Sequence, residues 1–439
     1  MSASNPDHSE SSDRLLGDPV VSFKDAWQAF MRIGLLSFGG PTAQIAVMHK
    51  ILVEEKKWLG ETLFVHALSF CMLLPGPEAM QLATYAGWRL RGVSGGLMAG
   101  LLFVLPGAVV MLLLSAIYAL YGALVWVEGL FYGIKAAVLV IVIEALLRVS
   151  KRALKQAMHW LIAGLSFIGI FFLNLPFPVL IMAAALCGFL FAAQEEGRND
   201  NASAPLVSPV VTLKRIVLWG SVWAAPLLLL MWRVGPDHVL VSLGLFFMKL
   251  ALVTFGGAYA VLAYMAQDVV GLYGWLEAGQ MMTGLGLAET TPGPLILVTE
   301  FVGFMAAFRQ GGLPWGLAGA GIALWMTFAP CFLWIFAGAP YLEWIIARPR
   351  LKGALAAIAA AVVGVIFNLS LWFALHVFFT RVEERSFGLA RMFVPDAASL
   401  DLGVVLIACL SAALLLWRHY GMAWVLLVAS LSGLAWRLF

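Results

Sequence analysis

Charged residues are scarce in this chain of 439 residues, because only 12% are Asp, Glu, Lys or Arg. By contrast, 62% are hydrophobic, and the mean hydropathy is +0.94. A soluble chain of this length needs a much more polar surface. The apolar runs are continuous and rich in Leu, Ala and Gly, with none of the ten-residue alternation that is typical of a membrane β-barrel. The composition therefore indicates an all-α integral membrane protein.

Cysteines and catalytic motifs are equally sparse. The four cysteines, Cys71, Cys187, Cys331 and Cys409, stand singly, so neither a metal centre nor a disulfide framework is expected. The sequence contains no HExxH motif and no haem or iron–sulfur pattern. We therefore predict no enzyme, no cofactor and no nucleic-acid partner. The polar residues 1–24 lack the features of a signal peptide and predict a disordered cytoplasmic tail.

An internal repeat determines the predicted architecture. A shift of 217 positions places Phe38-Gly39-Gly40 on Phe255-Gly256-Gly257, and Pro75-Gly76-Pro77 on Pro292-Gly293-Pro294, without a gap. The same shift places Arg32 on Lys249. A gap-free match through two motifs indicates a duplicated membrane fold.

The apolar segments divide the chain into five parts. They predict an N-terminal repeat over 25–155, linker helices with a cytoplasmic loop over 156–238, and a C-terminal repeat over 239–380. Residues 381–439 follow as an interfacial segment, either an amphipathic helix or a long loop, and two further membrane helices. Basic clusters such as "RVSKRALK" and "ARPRLKG" change sides between the repeats, which indicates opposite insertion. We therefore predict a cytoplasmic N-terminus and a periplasmic C-terminus.

Both motifs interrupt membrane segments at their centres. The apolar runs beside them cover about 12–16 residues, fewer than the roughly 20 that span a bilayer. Each interruption is either a re-entrant hairpin or a spanning helix that is unwound midway. The chain then has nine full spans plus hairpins, or about thirteen segments. Irregular backbone at membrane depth is tolerated only within protein or beside a watery cavity, so we expect the breaks to meet at one site.

Anion binding is the chemistry that such a site favours. Glycine lets the backbone approach a ligand, and a helix that restarts after a break offers free N–H groups and the positive end of its dipole. Arg32 and Lys249 lie two turns before the FGG breaks, and they either line the site or extend to the interface. Gln81 and Thr291 are candidates for binding oxyanion oxygens, although each also suits capping or packing.

Three acidic residues near the two PGP motifs suggest proton coupling. Glu78 follows the first PGP, Glu289 precedes the second, and Glu300 lies six residues beyond it. A carboxyl group near a desolvated anion site is suited to carrying a proton. For Glu78 the alternative is a first-turn residue that the helix dipole favours.

The strings "FGGPTAQIAVMH", "LPGPEAMQLATYAGWRLRG" and "TTPGPLILVTEFVGF" resemble the chromate ion transporter family over residues 25–380. The resemblance implies a bacterial inner-membrane protein that expels chromate at the expense of the proton-motive force and confers chromate resistance. Sulfate is a related or competing oxyanion in that family. The positions carried over by motif are Phe38, Gly39, Gly40, Pro41, Pro75, Gly76, Pro77, Gln81, Phe255, Gly256, Gly257, Pro292, Gly293 and Pro294.

Several alternatives stay open at this point. A carrier for sulfate or another oxyanion on the same scaffold belongs to the same class, whereas a membrane-embedded enzyme or a passive anion channel does not. A homodimer is also open. The chain departs from its own symmetry at Ala258, which stands opposite Pro41, and at Leu295, which stands opposite Glu78. The two half-sites are therefore not expected to be strictly equivalent.

Overall fold

The computed structural model describes residues 21–122, 124–192, 208–255, 258–346, 348–388 and 390–438. The helices of the first half are α1 Phe23–Leu36, α2 Gly40–His49, α3 Glu61–Cys71, α4 Glu78–Tyr121, α5 Val125–Ala153, α6 Ala157–Phe171 and α7 Phe177–Ala192. A single helix, α8 Pro209–Val234, leads to the second half. The helices of the second half are α9 Val239–Val253, α10 Ala258–Gln267, α11 Ala278–Thr290, α12 Val298–Gly338, α13 Leu342–Ile346, α14 Pro349–Phe378, α15 Leu402–Ala412 and α16 Met422–Leu438.

Short irregular turns complete these helices. π-helical turns over Lys50–Glu55, Asp268–Leu272 and Ala413–Trp417 extend α2, α10 and α15, and 3-10 turns lie at Leu295–Leu297, Ala339–Tyr341 and Ala397–Ser399. Five helical stretches of the described chain are long and apolar enough to cross a membrane: Glu78–Tyr121, Val125–Ala153, Pro209–Val234, Leu295–Tyr341 and Pro349–Phe378. The chain is thus an all-α, multi-pass membrane protein, as its composition predicts.

The long helix α4 folds back on itself as two limbs. Its backbone leaves helical geometry at Arg91 (φ −144°) and Gly92 (φ 63°), and glycine tolerates the second value. A Cβ placed on Gly87 would lie 2.3 Å from the carbonyl oxygen of Gly95. Residues eight apart in one straight helix would be about 12 Å apart. The two limbs therefore pack backbone against backbone.

The same hairpin recurs in α12. Gly311 (φ −151°) and Gly312 (φ 68°) make the turn, and a Cβ on Gly303 would lie 2.4 Å from the Gly319 carbonyl oxygen. These turns are 220 positions apart rather than 217, because the 3-10 turn Leu295–Leu297 follows the second PGP motif. The repeat thus extends beyond its motifs to the folding of both long helices.

The broken helices of the first half enter and leave at one face of the molecule, which we call face A. The Arg91 guanidinium donates to the Val21 carbonyl oxygen at 2.6 Å, so α1 begins where the first limb of α4 ends. The His49 imidazole lies 2.7 Å from the Glu61 carboxylate, so the end of α2 meets the start of α3. Both broken segments are therefore re-entrant hairpins.

The second half repeats this arrangement at the opposite face, face B. The rings of His238 and Trp315 stack at 4.4 Å, and the Arg309 guanidinium donates to the Trp275 carbonyl oxygen at 2.8 Å. The start of α9, the start of α11 and the turn of α12 are thus held close together. The second half therefore contains two re-entrant hairpins of its own.

The second limbs of α4 and α12 show that the halves are inverted. A Cβ on Gly96 would lie 2.7 Å from the Phe336 ring, and one on Gly100 would lie 2.7 Å from the Phe332 ring. Residue numbers rise along one limb as they fall along the other, so the limbs are antiparallel. Within the described residues, the contacts favour nine crossings and four re-entrant hairpins over thirteen crossings.

A helix of each half also packs closely against a long helix of the other half. A Cβ on Gly133 of α5 would lie 1.8 Å from the Ala429 carbonyl oxygen of α16, and one on Gly188 of α7 would lie 2.3 Å from the Gly353 carbonyl oxygen of α14. Helices α6–α7 and α15–α16 thus occupy equivalent places. The division into domains at 155, 238 and 380 stays a prediction, and most of the predicted tail 1–24 lies outside the described residues.

The segment after α14 differs from the sequence prediction of an interfacial helix or a loop. It forms an antiparallel β-hairpin of β1 Val382–Phe387 and β2 Ala390–Pro395. Gly388 adopts φ 63° in its turn, a conformation that reverses the chain and ends a helix. The hairpin lies between the end of α14 and the start of α15, at face B.

Candidate functional site: a cationic cavity at the helix breaks

The helix breaks meet at the centre of the molecule and pair across the two halves. The Gly76 amide donates to the Thr254 carbonyl oxygen at 2.8 Å, and the Gly293 amide donates to the Ser37 carbonyl oxygen at 2.7 Å. The two hydrogen bonds are related by the repeat, because Gly293 lies 217 positions after Gly76 and Thr254 lies 217 positions after Ser37. Each PGP loop is therefore bound to the break of the opposite half, and these two N–H groups do not face a ligand.

The glycines at the breaks allow the chain to reverse direction. Gly39, Gly40, Gly76 and Gly293 have φ values of 82°, 79°, 116° and 87°. Residues with a Cβ rarely adopt such values, so these glycines permit the turns that place helix N-termini at the centre. Gly256 and Gly257 of the predicted site lie outside the described residues.

A cavity of about 490 Å³ runs from face A to these breaks. It lies between α2 and α3 on one side and α5 and α14 on the other. The lining residues are Pro41, Thr42, Ser69, Met72, Leu73, Glu78, Ala145, Arg148, Val149, Arg152, Ala153, Tyr259, Lys352, Leu355, Ala356, Ile358, Ala359 and Ile366. Both halves of the chain therefore contribute to one chamber.

The charge of this chamber is predominantly positive. Arg148, Arg152 and Lys352 line it, whereas Glu78 is the one acidic residue among its lining residues. Arg148 also donates to Glu144, one turn earlier on α5. Arg152 lies 3.4 Å from the Thr42 hydroxyl, so it reaches from α5 to the first turn of α2. The arrangement suits an anion that enters from face A.

Two helix N-termini add to the positive potential. Pro41 and Thr42 belong to the first turn of α2, and Glu78 begins α4 after Pro77. The first N–H groups of a helix have no partner within the helix, and the dipole there favours negative charge. The breaks therefore place two helix N-termini at the cavity, whereas the Gly76 and Gly293 amides are already hydrogen-bonded to carbonyl oxygens.

Tyr259 and Glu289 close the inner end of the cavity. The Tyr259 hydroxyl donates to Glu289 Oε1 at 2.9 Å, and Glu289 Oε2 is buried without a hydrogen-bond partner among the described residues. A separate void of about 10 Å³ shares Pro41 and Glu78 with the cavity and is also bounded by Gln44 and Pro294, and it is just large enough for one water. Gln44 donates to the Gly293 carbonyl oxygen at 2.6 Å and so fixes that loop.

The structure brings some predicted residues together at the cavity. Pro41 and Glu78 line it, while Pro77 and Pro294 border the small void next to it. Gln81 instead donates to the Pro75 carbonyl oxygen at 2.7 Å and stabilises its own loop.

Other predicted residues lie apart from the cavity. Phe38 is 47% exposed, and Phe255 packs against the core. The Thr291 hydroxyl donates to a carbonyl oxygen of its own helix, and Pro292 packs against Gly107 of α4. Glu300 is buried, and its Oε2 has no hydrogen-bond partner among the described residues.

The paired basic residues Arg32 and Lys249 also lie away from the cavity. Arg32 forms an ion pair with Glu55 at 2.6 Å, and its side chain is 52% exposed. The Lys249 ammonium lies 5.3 Å from the centre of the Tyr264 ring. A role for either in anion binding stays a prediction that this geometry does not favour.

The cationic residues of the cavity were not predicted as site residues. Arg148, Arg152 and Lys352 served as markers of membrane orientation, and Tyr259 was not singled out. A signal was nevertheless present. Arg148 and Arg152 are four residues apart and therefore share one helix face, and Tyr259 is the repeat counterpart of Thr42.

A cavity with cationic side chains that opens to one face and closes at the middle, between inverted repeats with broken helices, is typical of membrane transporters. Comparison with known families agrees, because the model described as "Chromate transporter" matches residues 25–189 and 241–434. The chain belongs to the chromate transporter family. The resemblance of its paired motifs to that family is thus confirmed.

Individual relatives support this assignment. The chain is 32% identical to the chromate transport protein of Pseudomonas aeruginosa over 96% of its own length and 94% of the relative. It is 29% identical to a probable chromate transport protein of Synechococcus elongatus, over 81% and 86% of the two chains. YwrB of Bacillus subtilis, an uncharacterized transporter, is 27% identical over 41% of this chain and 93% of its own length. No solved structure matches significantly.

Proposed function

We propose that this protein carries chromate across the bacterial inner membrane, from the cytoplasm outward, and so confers chromate resistance. The observation that carries the proposal is the face A cavity, where Arg148, Arg152 and Lys352 converge on the N-termini of α2 and α4. Chromate is a tetrahedral dianion, and several cationic and N–H donors around one chamber suit its charge and shape. Sulfate shares both properties and is the competing substrate.

Basic residues support a cytoplasmic face A. Arg152 and Lys352 lie near the face A ends of α5 and α14, where a short cytoplasmic flank is enriched in Lys and Arg. The chain then begins in the cytoplasm, and α16 ends in the periplasm. In this orientation the cavity is open to the cytoplasm, and Tyr259 and Glu289 seal the path outward.

Two carboxyl groups offer a route for coupled protons. Glu78 lines the cavity that the anion would occupy, and Glu289 lies behind the hydroxyl of Tyr259. A bound dianion and an ionised Glu78 repel each other, so anion binding favours a protonated carboxyl group. Chromate and a proton would then leave together, and their net negative charge would be driven outward by the inside-negative membrane potential.

Chromate uptake into everted membrane vesicles tests the substrate and the site. We expect uptake in vesicles with this protein and a more than tenfold loss in Arg152→Gln and Lys352→Gln, because each removes a cation from the cavity. Arg32→Gln is the matched control, since it removes a basic residue outside the cavity, and we expect near-normal uptake. Absence of chromate uptake, or equal loss in all three variants at equal protein levels, would contradict the proposal.

A second measurement in the same vesicles tests coupling. We expect an uncoupler to abolish chromate accumulation against a gradient, whereas Glu78→Gln should retain exchange of chromate and lose its dependence on the pH gradient. Uptake that is indifferent to the uncoupler would refute proton coupling. Sulfate transport in the absence of chromate transport would favour the alternative oxyanion carrier.

A further inference from the structure

A second, smaller cavity lies at face B, beneath the β-hairpin. Its volume is about 190 Å³. Its lining includes Ala263 and Gln267 of α10, Asn368 and His376 of α14, and Glu384 and Arg391 of the hairpin. Helices α10 and α14 form its walls, and β1 and β2 supply Glu384 and Arg391. We call it the outer vestibule.

The outer vestibule continues the path of the face A cavity. Residues of α14 from Lys352 to Ile366 line the face A cavity, and residues from Asn368 to His376 line the outer vestibule. At about 1.5 Å per residue, these stretches cover about 21 Å and 12 Å of one helix, with about 3 Å between them. Together with the gap they extend about 36 Å, which is enough to cross a hydrocarbon core of about 30 Å.

The division between the two cavities coincides with Tyr259. On α10, Tyr259 lines the face A cavity, and Ala263, one turn later, lines the outer vestibule. The hydrogen bond from Tyr259 to Glu289 therefore lies where the two cavities are separated. One interrupted path thus runs along α14 from face A to the hairpin.

Arg391 is fixed in the wall of the outer vestibule. Its backbone amide donates to the Phe172 carbonyl oxygen at 2.8 Å, and its Nη2 donates to the Ile170 carbonyl oxygen at 3.3 Å. Its side chain is 17% exposed, and its Nε is buried without a hydrogen-bond partner among the described residues. These contacts hold a guanidinium in place while leaving donor capacity unused.

Glu384 is held more loosely than Arg391. Its carboxylate lies 3.6 Å from Arg391 Nη1, beyond the usual range of a hydrogen bond, and its side chain is 50% exposed. A carboxylate that contacts a fixed guanidinium from an exposed position is readily exchanged for another anion. The hairpin therefore offers one permanent cation and one replaceable counter-ion at the mouth of the path.

We propose that the outer vestibule is a second oxyanion subsite, in which Arg391 binds the tetrahedral anion as it leaves and Glu384 takes its place afterwards. This subsite extends the proposed transport function to its periplasmic step. Glu384 competes with the anion and so favours release.

Thiol labelling tests the subsite independently of transport. Gln267→Cys places a thiol in the vestibule wall, in a background with Cys187→Ala and Cys409→Ala. The thiol is labelled from the periplasmic side with an anionic methanethiosulfonate and with a cationic one of the same length. We expect the ratio of anionic to cationic labelling rates to fall about threefold or more with Arg391→Gln and to rise with Glu384→Gln.

A matched control and a probe anion complete the experiment. Arg385 and Glu383 form an exposed pair at 3.1 Å on the same hairpin, outside the vestibule, so Arg385→Gln should leave the ratio unchanged. Sulfate, which does not oxidise thiols, should slow the labelling when Arg391 is present. Equal effects of Arg391→Gln and Arg385→Gln, or no protection by sulfate, would overturn the subsite. A charge-selective vestibule in a protein without chromate flux would refute only the proposed substrate.

Discussion

Replacing Tyr259 with Phe isolates the hydrogen bond that separates the two cavities. The ring, which is buried, keeps its packing, while Glu289 loses the donor that lies 2.9 Å from its Oε1. Because Glu289 Oε2 already lacks a partner among the described residues, the carboxyl group would be left without a hydrogen bond there. The closed state should therefore be weakened with little change of shape.

The expected magnitude follows from the type of bond. A hydrogen bond to a charged group contributes about 1.5–3 kcal/mol to the state that contains it. If the open state lacks this bond, its removal shifts the equilibrium between closed and open states by about 10- to 150-fold. Such a shift would make a minor open population a substantial one.

Proton leakage through reconstituted protein is the appropriate assay. In liposomes without chromate, Tyr259→Phe should dissipate an imposed pH gradient faster than the wild type, because the seal between the cavities is weaker. Tyr132→Phe is the matched control, since Tyr132 also donates to a carboxylate, that of Asp401, but lies outside both cavities. Equal leakage in both variants, or wild-type leakage in Tyr259→Phe, would refute the assignment of Tyr259 to the seal.

Further predictions concern the fold and its response to pH. Gly87→Val should prevent stable accumulation of the protein, because the new side chain meets the Gly95 backbone; Gly164→Val, whose Cβ has open space, should accumulate normally by immunoblot. The hydrogen bond to Glu61 raises the pKa of His49. That bond therefore stabilises the fold below the ordinary pKa of 6.5, and the contribution is lost as pH rises through the higher pKa of the folded state. The melting temperature of the purified protein should show this decline, and His49→Gln should remove it.

The architecture was accessible from the sequence because it is encoded locally. Glycine marks each break, with proline beside it at three of the four, and the gap-free repeat of these motifs identifies two related halves. Short-range signals of this kind do not depend on which helices later become neighbours.

The cavity was not accessible in the same way. Arg148 and Lys352 are distant in sequence, and they line one chamber only because α5 and α14 pack in the same region. Charge counting assigns such residues to a membrane face but not to a side of a helix. The hydrogen bonds of the Gly76 and Gly293 amides likewise join opposite halves, so sequence reasoning left these donors free for an anion.

The contact between α5 and α16 has a consequence for synthesis. Gly133 is inserted early, yet its packing partner at Ala429 is translated roughly 300 residues later. At about 5–20 residues per second, α5 waits about 15–60 s in the bilayer before its partner exists. The glycine face of α5 is open to lipid or to other proteins throughout that time. A ribosome that stops before α16 would therefore release a chain whose first half is complete but whose helix α5 lacks its packing partner.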